Sequence, residues 1–184
     1  MKVVLQNVRL SFPDLFVAKQ FKGQGKARFS ASFLVEKGSE TDKLVNQAIQ
    51  DAAKEAWEGK ADANLKKYLG QKGKCCYMDG DDSEYDGYDG MMSLTAHRNA
   101  DQMPPKIVDR AKQQLTADSG KPYAGCYVNA IVDIWIQSGD YPGIRATLNV
   151  VQFVADGEPF AGSVPNVDDL PDLDTDINDD DDLV

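Results

Sequence analysis

The stretch Cys126-Tyr-Val-Asn-Ala-Ile-Val-Asp-Ile-Trp-Ile-Gln137 alternates without a break. One row carries Cys126, Val128, Ala130, Val132, Ile134 and Ile136, and the other carries Tyr127, Asn129, Ile131, Asp133, Trp135 and Gln137. A period of two is what a pleated strand imposes, because successive side chains point to opposite faces of a sheet. Residues 139–143, with a glycine at each end and Pro142 inside, supply a turn. Residues 144–154 then repeat the pattern, with Ile144, Ala146, Leu148 and Val150 expected inward and Arg145, Thr147, Asn149, Val151 and Phe153 outward. The expected unit is an antiparallel hairpin with one apolar and one mixed face.

The same period recurs upstream. Residues 91–98 set Met92, Leu94 and Ala96 against Ser93, Thr95 and His97, and residues 28–36 set Phe29, Ala31, Phe33 and Val35 against Arg28, Ser30 and Ser32. Residues 2–12 place Val4, Val8, Leu10 and Phe12 on one side, with Pro13 expected to end the strand, and a shorter strand is read at 74–78. Between 41 and 57 the spacing becomes helical through Leu44, Val45, Ala48, Ile49, Ala52, Ala53, Ala56 and Trp57, with Ser39 or Thr41 as cap and Gly59 as stop. Shorter helices are read at 62–69 and at 106–115, the latter entered through Pro104 and Pro105. The expected fold is mostly β with inserted helices, an α+β chain on a five-stranded antiparallel OB-fold-like barrel. It occupies residues 1–163 as one domain and includes an acidic flexible loop at 79–90. Residues 164–184, dense in charge of one sign and without aromatics, are expected to be a disordered acidic tail.

Charge is distributed to match. The whole chain has 20 basic and 30 acidic residues, a net charge of −10, which spread evenly would oppose a polyanionic ligand. Nine of the acids lie between Asn166 and Val184 and six more (Asp79, Asp81, Asp82, Glu84, Asp86, Asp89) in the loop at 79–90, so 15 acids face 20 bases elsewhere. The first 35 residues carry Lys2, Arg9, Lys19, Lys22, Lys26 and Arg28 against Asp14 alone.

Holding a single strand without reading its sequence needs cations for phosphates and ring faces on which bases stack. The final hairpin offers Tyr127, Trp135, Arg145 and Phe153; the basic stretch 19–28 offers Lys19, Phe21, Lys22, Lys26 and Arg28; Lys72, Lys74 and Tyr77 form a third group. Each ring has a competing structural reading, since aromatics on strands also pack under helices. The end of the tail, Asp179, Asp180, Asp181, Asp182, Leu183 and Val184, is a charge block closed by two apolar residues. It suits a basic rim around an apolar pocket on a partner protein, or competition with DNA for the chain's own cations, or plain solubility.

Enzymatic chemistry finds little footing. The single histidine, His97, stands outside any HxH or HExxH pattern, and there is neither a GxSxG nor a Walker motif. The acidic loop fails the calcium-loop pattern, having Glu84 at the sixth position and Gly90 at the twelfth. Cys75, Cys76 and Cys126 form no CxxC pair, so reduced thiols are expected and neither cofactor nor metal is. The sequence shows no membrane-length apolar run and no signal peptide, which points to the cytoplasm. A homo-oligomer is compatible with all of this. The rival reading is an acidic protein-interaction or DNA-mimic module, and a third is a metal-dependent nuclease.

Several stretches together carry a family likeness: Asn7-Val-Arg-Leu-Ser-Phe-Pro-Asp-Leu-Phe16, Arg28-Phe-Ser-Ala-Ser-Phe-Leu-Val35, Gly125-Cys-Tyr-Val-Asn-Ala-Ile-Val-Asp-Ile-Trp135, Gly143-Ile-Arg-Ala146 and Val151-Gln-Phe153. In this order they resemble the tailed-phage single-stranded DNA-binding proteins long catalogued as a phage domain of unknown function. The resemblance implies an OB-fold and a role in DNA replication or recombination in an infected bacterium, with replication or recombination proteins as partners of the tail. The tail is also similar to the acidic, apolar-tipped tails of bacterial and phage single-strand binders, which usually finish with an aromatic residue, whereas this one finishes with Leu183 and Val184.

Overall fold

The row of β-branched and aliphatic side chains read in the final hairpin becomes the wall of a barrel. The computed structural model describes residues 1–21 and 24–160, with Phe21 and Gln24 described by their backbones only. The strands are β1 (Lys2–Phe21), β2 (Gln24–Glu36), β3 (Tyr77–Asp79), β4 (Met91–Asn99), β5 (Lys106–Val108), β6 (Tyr127–Gln137) and β7 (Gly143–Ala155), with α1 (Glu40–Trp57) and α2 (Ala61–Tyr68) between β2 and β3. They form one sheet in the order β3-β4-β2-β1-β6-β7-β5. A parallel contact between β4 and β7, at His97 and Thr147, closes β1, β2, β4, β6 and β7 into a five-stranded OB-like barrel. Phe33, Leu5, Leu10, Leu94, Ile134, Ile144 and Leu148 fill it without solvent exposure. Ser39 caps α1 by accepting from the Asp42 N–H at 3.2 Å, and the stripe Val45, Ala48, Ile49, Ala52 joins the barrel core. No helix among the described residues is long and apolar enough to cross a membrane.

Bulges correct the expected phase in two strands. On β7, Val150 pairs with Ile131 but Leu148 pairs with Val132, so Asn149 is an extra residue. An inserted residue exchanges the faces of everything after it. Val151 and Phe153 therefore point into the core and Val150 points out, the reverse of the expectation. On β1 an extra residue lies between Leu5 and Val8, where Asn7 has φ 50°, and another between Ser11 and Asp14, where Phe12 has φ 46°. The inward row is consequently Val3, Leu5, Val8, Leu10 and Leu15, and Val4 and Phe12 are exposed. Pro13 does not end β1; it sits within the second irregularity, where the missing N–H interrupts nothing.

The helix expected at 106–115 is instead a strand and a turn. Ile107 is buried, and β5 pairs in parallel with β7. The Asp109 carboxylate accepts from the Gln113 N–H at 2.8 Å, Lys112 takes φ 63°, and the Leu115 N–H returns to the Ile107 carbonyl at 2.8 Å. A short Asp side chain offering its own hydrogen bond diverts the backbone from a helical ladder. The strand read at 74–78 shrinks to β3, with Cys75 making a single bridge to Ile144.

Candidate functional site

Register places a polar strip on the outer surface around the closure. Residues paired across strands share a face, so Lys19 goes with Arg28 and Arg28 with Asn99, Ser30 with His97, His97 with Thr147, and Trp135 with Arg145. Strip and core divide each strand between them: Phe29, Ala31, Ala96 and Ala146 are buried on the other side. Burial, then the positive charges of Arg28 and Arg145, lower the His97 pKa to about 4. The imidazole is therefore neutral at pH 7 and lies within electrostatic reach of both guanidinium groups. Its Nδ1 is buried and has no hydrogen-bond partner among the described residues.

Arg145 also ties the strip to its surroundings. It donates to Gln137 Oε1 at 3.0 Å and to the Gly73 carbonyl at 3.0 Å, which brings the loop of Lys72 and Lys74 to its flank. Gly143 permits this approach: a Cβ there would stand 2.4 Å from the Lys74 carbonyl oxygen. Trp135, 43 % exposed, donates to Thr147 Oγ1 at 3.1 Å, and Tyr141 in the adjoining turn is 73 % exposed. At the other end exposed Lys19 meets half-buried Asp14 at 2.5 Å, and Lys26 meets Asp101 at 2.8 Å in an exposed pair of the kind that exchanges readily for other ions.

A cleft of about 600 Å³ adjoins the strip at Asp14 and Lys19 and is walled by Phe12, Tyr85, Tyr123 and Phe160. Phe12 and Tyr85 meet edge to face at 4.8 Å. The acidic loop that brings Tyr85 here is held at several points: Tyr88 is buried with its hydroxyl 3.2 Å from Ser11, the Gly90 N–H donates to Asp81 at 2.7 Å, and Lys37 pairs with Asp79 at 2.6 Å and with Asp81. Gly87 is required where it is, because a Cβ would lie 2.4 Å from the Phe160 ring. Arg9 lies over that ring at 4.3 Å, so the last described residue of the chain borders the cleft.

The candidates named from sequence thus separate. Arg28, Arg145, Trp135, Lys72 and Lys74 converge, with Lys19 and Lys26 at the far end. Tyr77 is in the core, its hydroxyl donating to Asp42 at 2.9 Å beneath α1, and Phe153 is only 9 % exposed because of the Asn149 bulge. Tyr127 is half-buried under Arg9 at 5.8 Å. The Phe21 ring, Lys22 and the tail residues Asp179, Asp180, Asp181, Asp182, Leu183 and Val184 lie outside the described residues. Sequence reasoning missed His97 as a junction of the strip, along with Tyr141, Phe12 and Tyr85. An aromatic two residues past a turn glycine was the available signal for Tyr141; only the φ 46° kink reveals Phe12.

Comparison with known proteins extends the geometry. The model of the family described as Enterobacter phage Enc34, ssDNA-binding protein, matches residues 1–184. Protein p50 of Acyrthosiphon pisum secondary endosymbiont phage 1 is 38 % identical over 177 residues, which cover 94 % of either chain. Among solved structures, the single-stranded DNA-binding protein from bacteriophage Enc34 in complex with ssDNA superposes with TM-score 0.70 at 22 % identity, over 86 % of this chain and 88 % of that one. The bacteriophage T7 single-stranded DNA-binding protein gp2.5 gives TM-score 0.54 at 14 % identity, over 90 % and 97 %.

Proposed function

The chain belongs to the phage Enc34 ssDNA-binding protein family, and on that premise we propose that it binds single-stranded DNA without sequence preference, along the strip from Lys19 and Arg28 to Arg145 and Trp135. The observation that carries this reading is that register sets Arg28 and Arg145 on one face with His97, across the barrel closure, beside an exposed indole. OB-folds take oligonucleotides on the face of their second and third strands and on the first and last hairpin loops. Here those are β2, β4, the β1–β2 hairpin and the turn bearing Tyr141. Phosphates meet the cations, bases stack on Trp135 and Tyr141, and the cleft of Phe12 and Tyr85 continues the path beyond Lys19. The role is binding without a chemical step, in replication or recombination in the cytoplasm of an infected bacterium.

The acidic segment 166–184 follows Phe160, which borders the cleft. A tethered polyanion at that place competes with DNA for the same cations and meets partner proteins when DNA displaces it.

Fluorescence titration with oligothymidine tests the reading. Stacking quenches Trp135, whereas Trp57, already stacked on Tyr68 at 5.5 Å, serves as the reference. Quenching that persists in Trp57→Phe and disappears in Trp135→Phe is the expected result, and removal of residues 166–184 is expected to tighten binding. A chain without 166–184 that ignores oligothymidine at low salt would favour the protein-interaction reading.

A further inference from the structure

The outer surface of the barrel holds a second feature, away from the strip. Val4 of β1, Val108 of β5, Ile131 of β6 and Val150 of β7 line an apolar groove of about 330 Å³ flanked by Lys106 and Lys112. Val4 is 42 % exposed, and the β1 and β7 bulges are what turn Val4 and Val150 outward. No acidic residue lines the groove. Both lysines are exposed, and among the described residues neither takes part in an ion pair. Arg110 adds a cation on the same turn, whose only acid, Asp109, is engaged with the Gln113 backbone.

An apolar floor with a cationic rim is the complement of an anionic segment ending in aliphatic side chains, and this chain ends in Asp179-Asp-Asp-Asp-Leu-Val184. We propose that this terminus seats in the groove of its own chain. Leu183 and Val184 lie against Val4, Ile131 and Val150, and the four aspartates face Lys106, Lys112 and Arg110. The distance is short. Phe160 packs over Arg9, which itself lies over Tyr127, and the groove begins two residues further along the same row of β6, about 7 Å at the usual strand rise. Residues 161–178 reach about 60 Å when extended, and a tether of that length holds its end at roughly millimolar effective concentration. The seat is separate from the strip: without DNA the terminus rests in the groove, and it competes for the strip cations only after leaving it.

The test uses the full chain without DNA at low salt. A nitroxide is attached at Asn178→Cys, the native cysteines being buried, and paramagnetic broadening of backbone amides is read by NMR. The expected result is at least a twofold loss of intensity concentrated at Val4, Ile131 and Val150. It is expected to vanish in Lys106→Glu/Lys112→Glu and in Leu183→Asp/Val184→Asp, whose amide spectra elsewhere report an intact fold. Broadening centred on the strip or the aromatic cleft, broadening that persists in both double variants, or no localised broadening overturns the proposal. So does an effect seen only between separately labelled copies. Oligothymidine binding is not read here, so failure of this seat and failure of the DNA-binding reading remain distinguishable.

Discussion

The barrel wears two unlike outer faces, and β7 contributes to both. Before Asn149 this strand turns Arg145 and Thr147 outward, beside His97 and Trp135; after it, Val150 and Gln152 face out beside Val4 and Ile131. One added residue is what separates a cationic strip from an apolar groove, since an insertion in a strand inverts every later side chain. Asn149 is itself fastened, donating to Asp133 at 2.7 Å and accepting from Arg98, whose Nε donates to the Leu148 carbonyl at 2.7 Å. Composition along a strand tells which residues are available, while register decides which face receives them.

The largest effect is expected from removing the cause of this division. Deleting Asn149 is expected to expel Val151 and Phe153 from the core, each burial being worth about 1.5–3 kcal/mol, so urea unfolding should show a loss of at least about 3 kcal/mol. Acid sensitivity comes next. The folded His97 has its pKa lowered to about 4 from the ordinary 6.5. As pH falls below 6.5, the unfolded chain takes up a proton that the folded chain refuses. Stability is therefore expected to decline between pH 6.5 and 4 by up to about 3 kcal/mol, and His97→Gln should flatten that decline in denaturant titrations across pH.

Smaller effects separate the two faces through binding. Trp135→Ala should weaken oligothymidine binding by about 1–3 kcal/mol, read by anisotropy, with little change in stability. Arg28→Ala/Arg145→Ala should make the log-log salt dependence shallower by about 1.4, at about 0.7 for each phosphate that is no longer neutralised. Least of all, Lys106→Glu/Lys112→Glu placed in a chain lacking 166–184 should leave both affinity and salt slope essentially unchanged. A drop in affinity there equal to that of the arginine pair would erase the distinction between the faces.

Much of the architecture was legible in advance. Inward rows on β2, β4, β6 and the first half of β7 follow directly from period-two patterning, because unbroken ladders carry the pattern into space unchanged. Arg28, Trp135 and Arg145 were legible as candidates for the same reason. Tyr77 and Phe153 were misjudged differently. Tyr77 is claimed by Asp42 on α1, a partner 35 positions away, and Phe153 lies past a bulge that no local residue type announces. The segment 106–115 misled because helical spacing and a turn closed by Asp109 look alike when Ile107's place at the edge of β7 is unknown.

From the chain alone come the barrel class, the helix that follows the second strand, and the sorting of acids away from a basic body. These rest on periodicity and composition, which are local. The gathering of Arg28 and Arg145 around one half-buried imidazole, the outward turn of Phe12 and the pairing of an apolar groove with Lys106 and Lys112 appear only in three dimensions. Each depends on strand register and on where β4 meets β7, quantities set by packing between residues far apart in sequence.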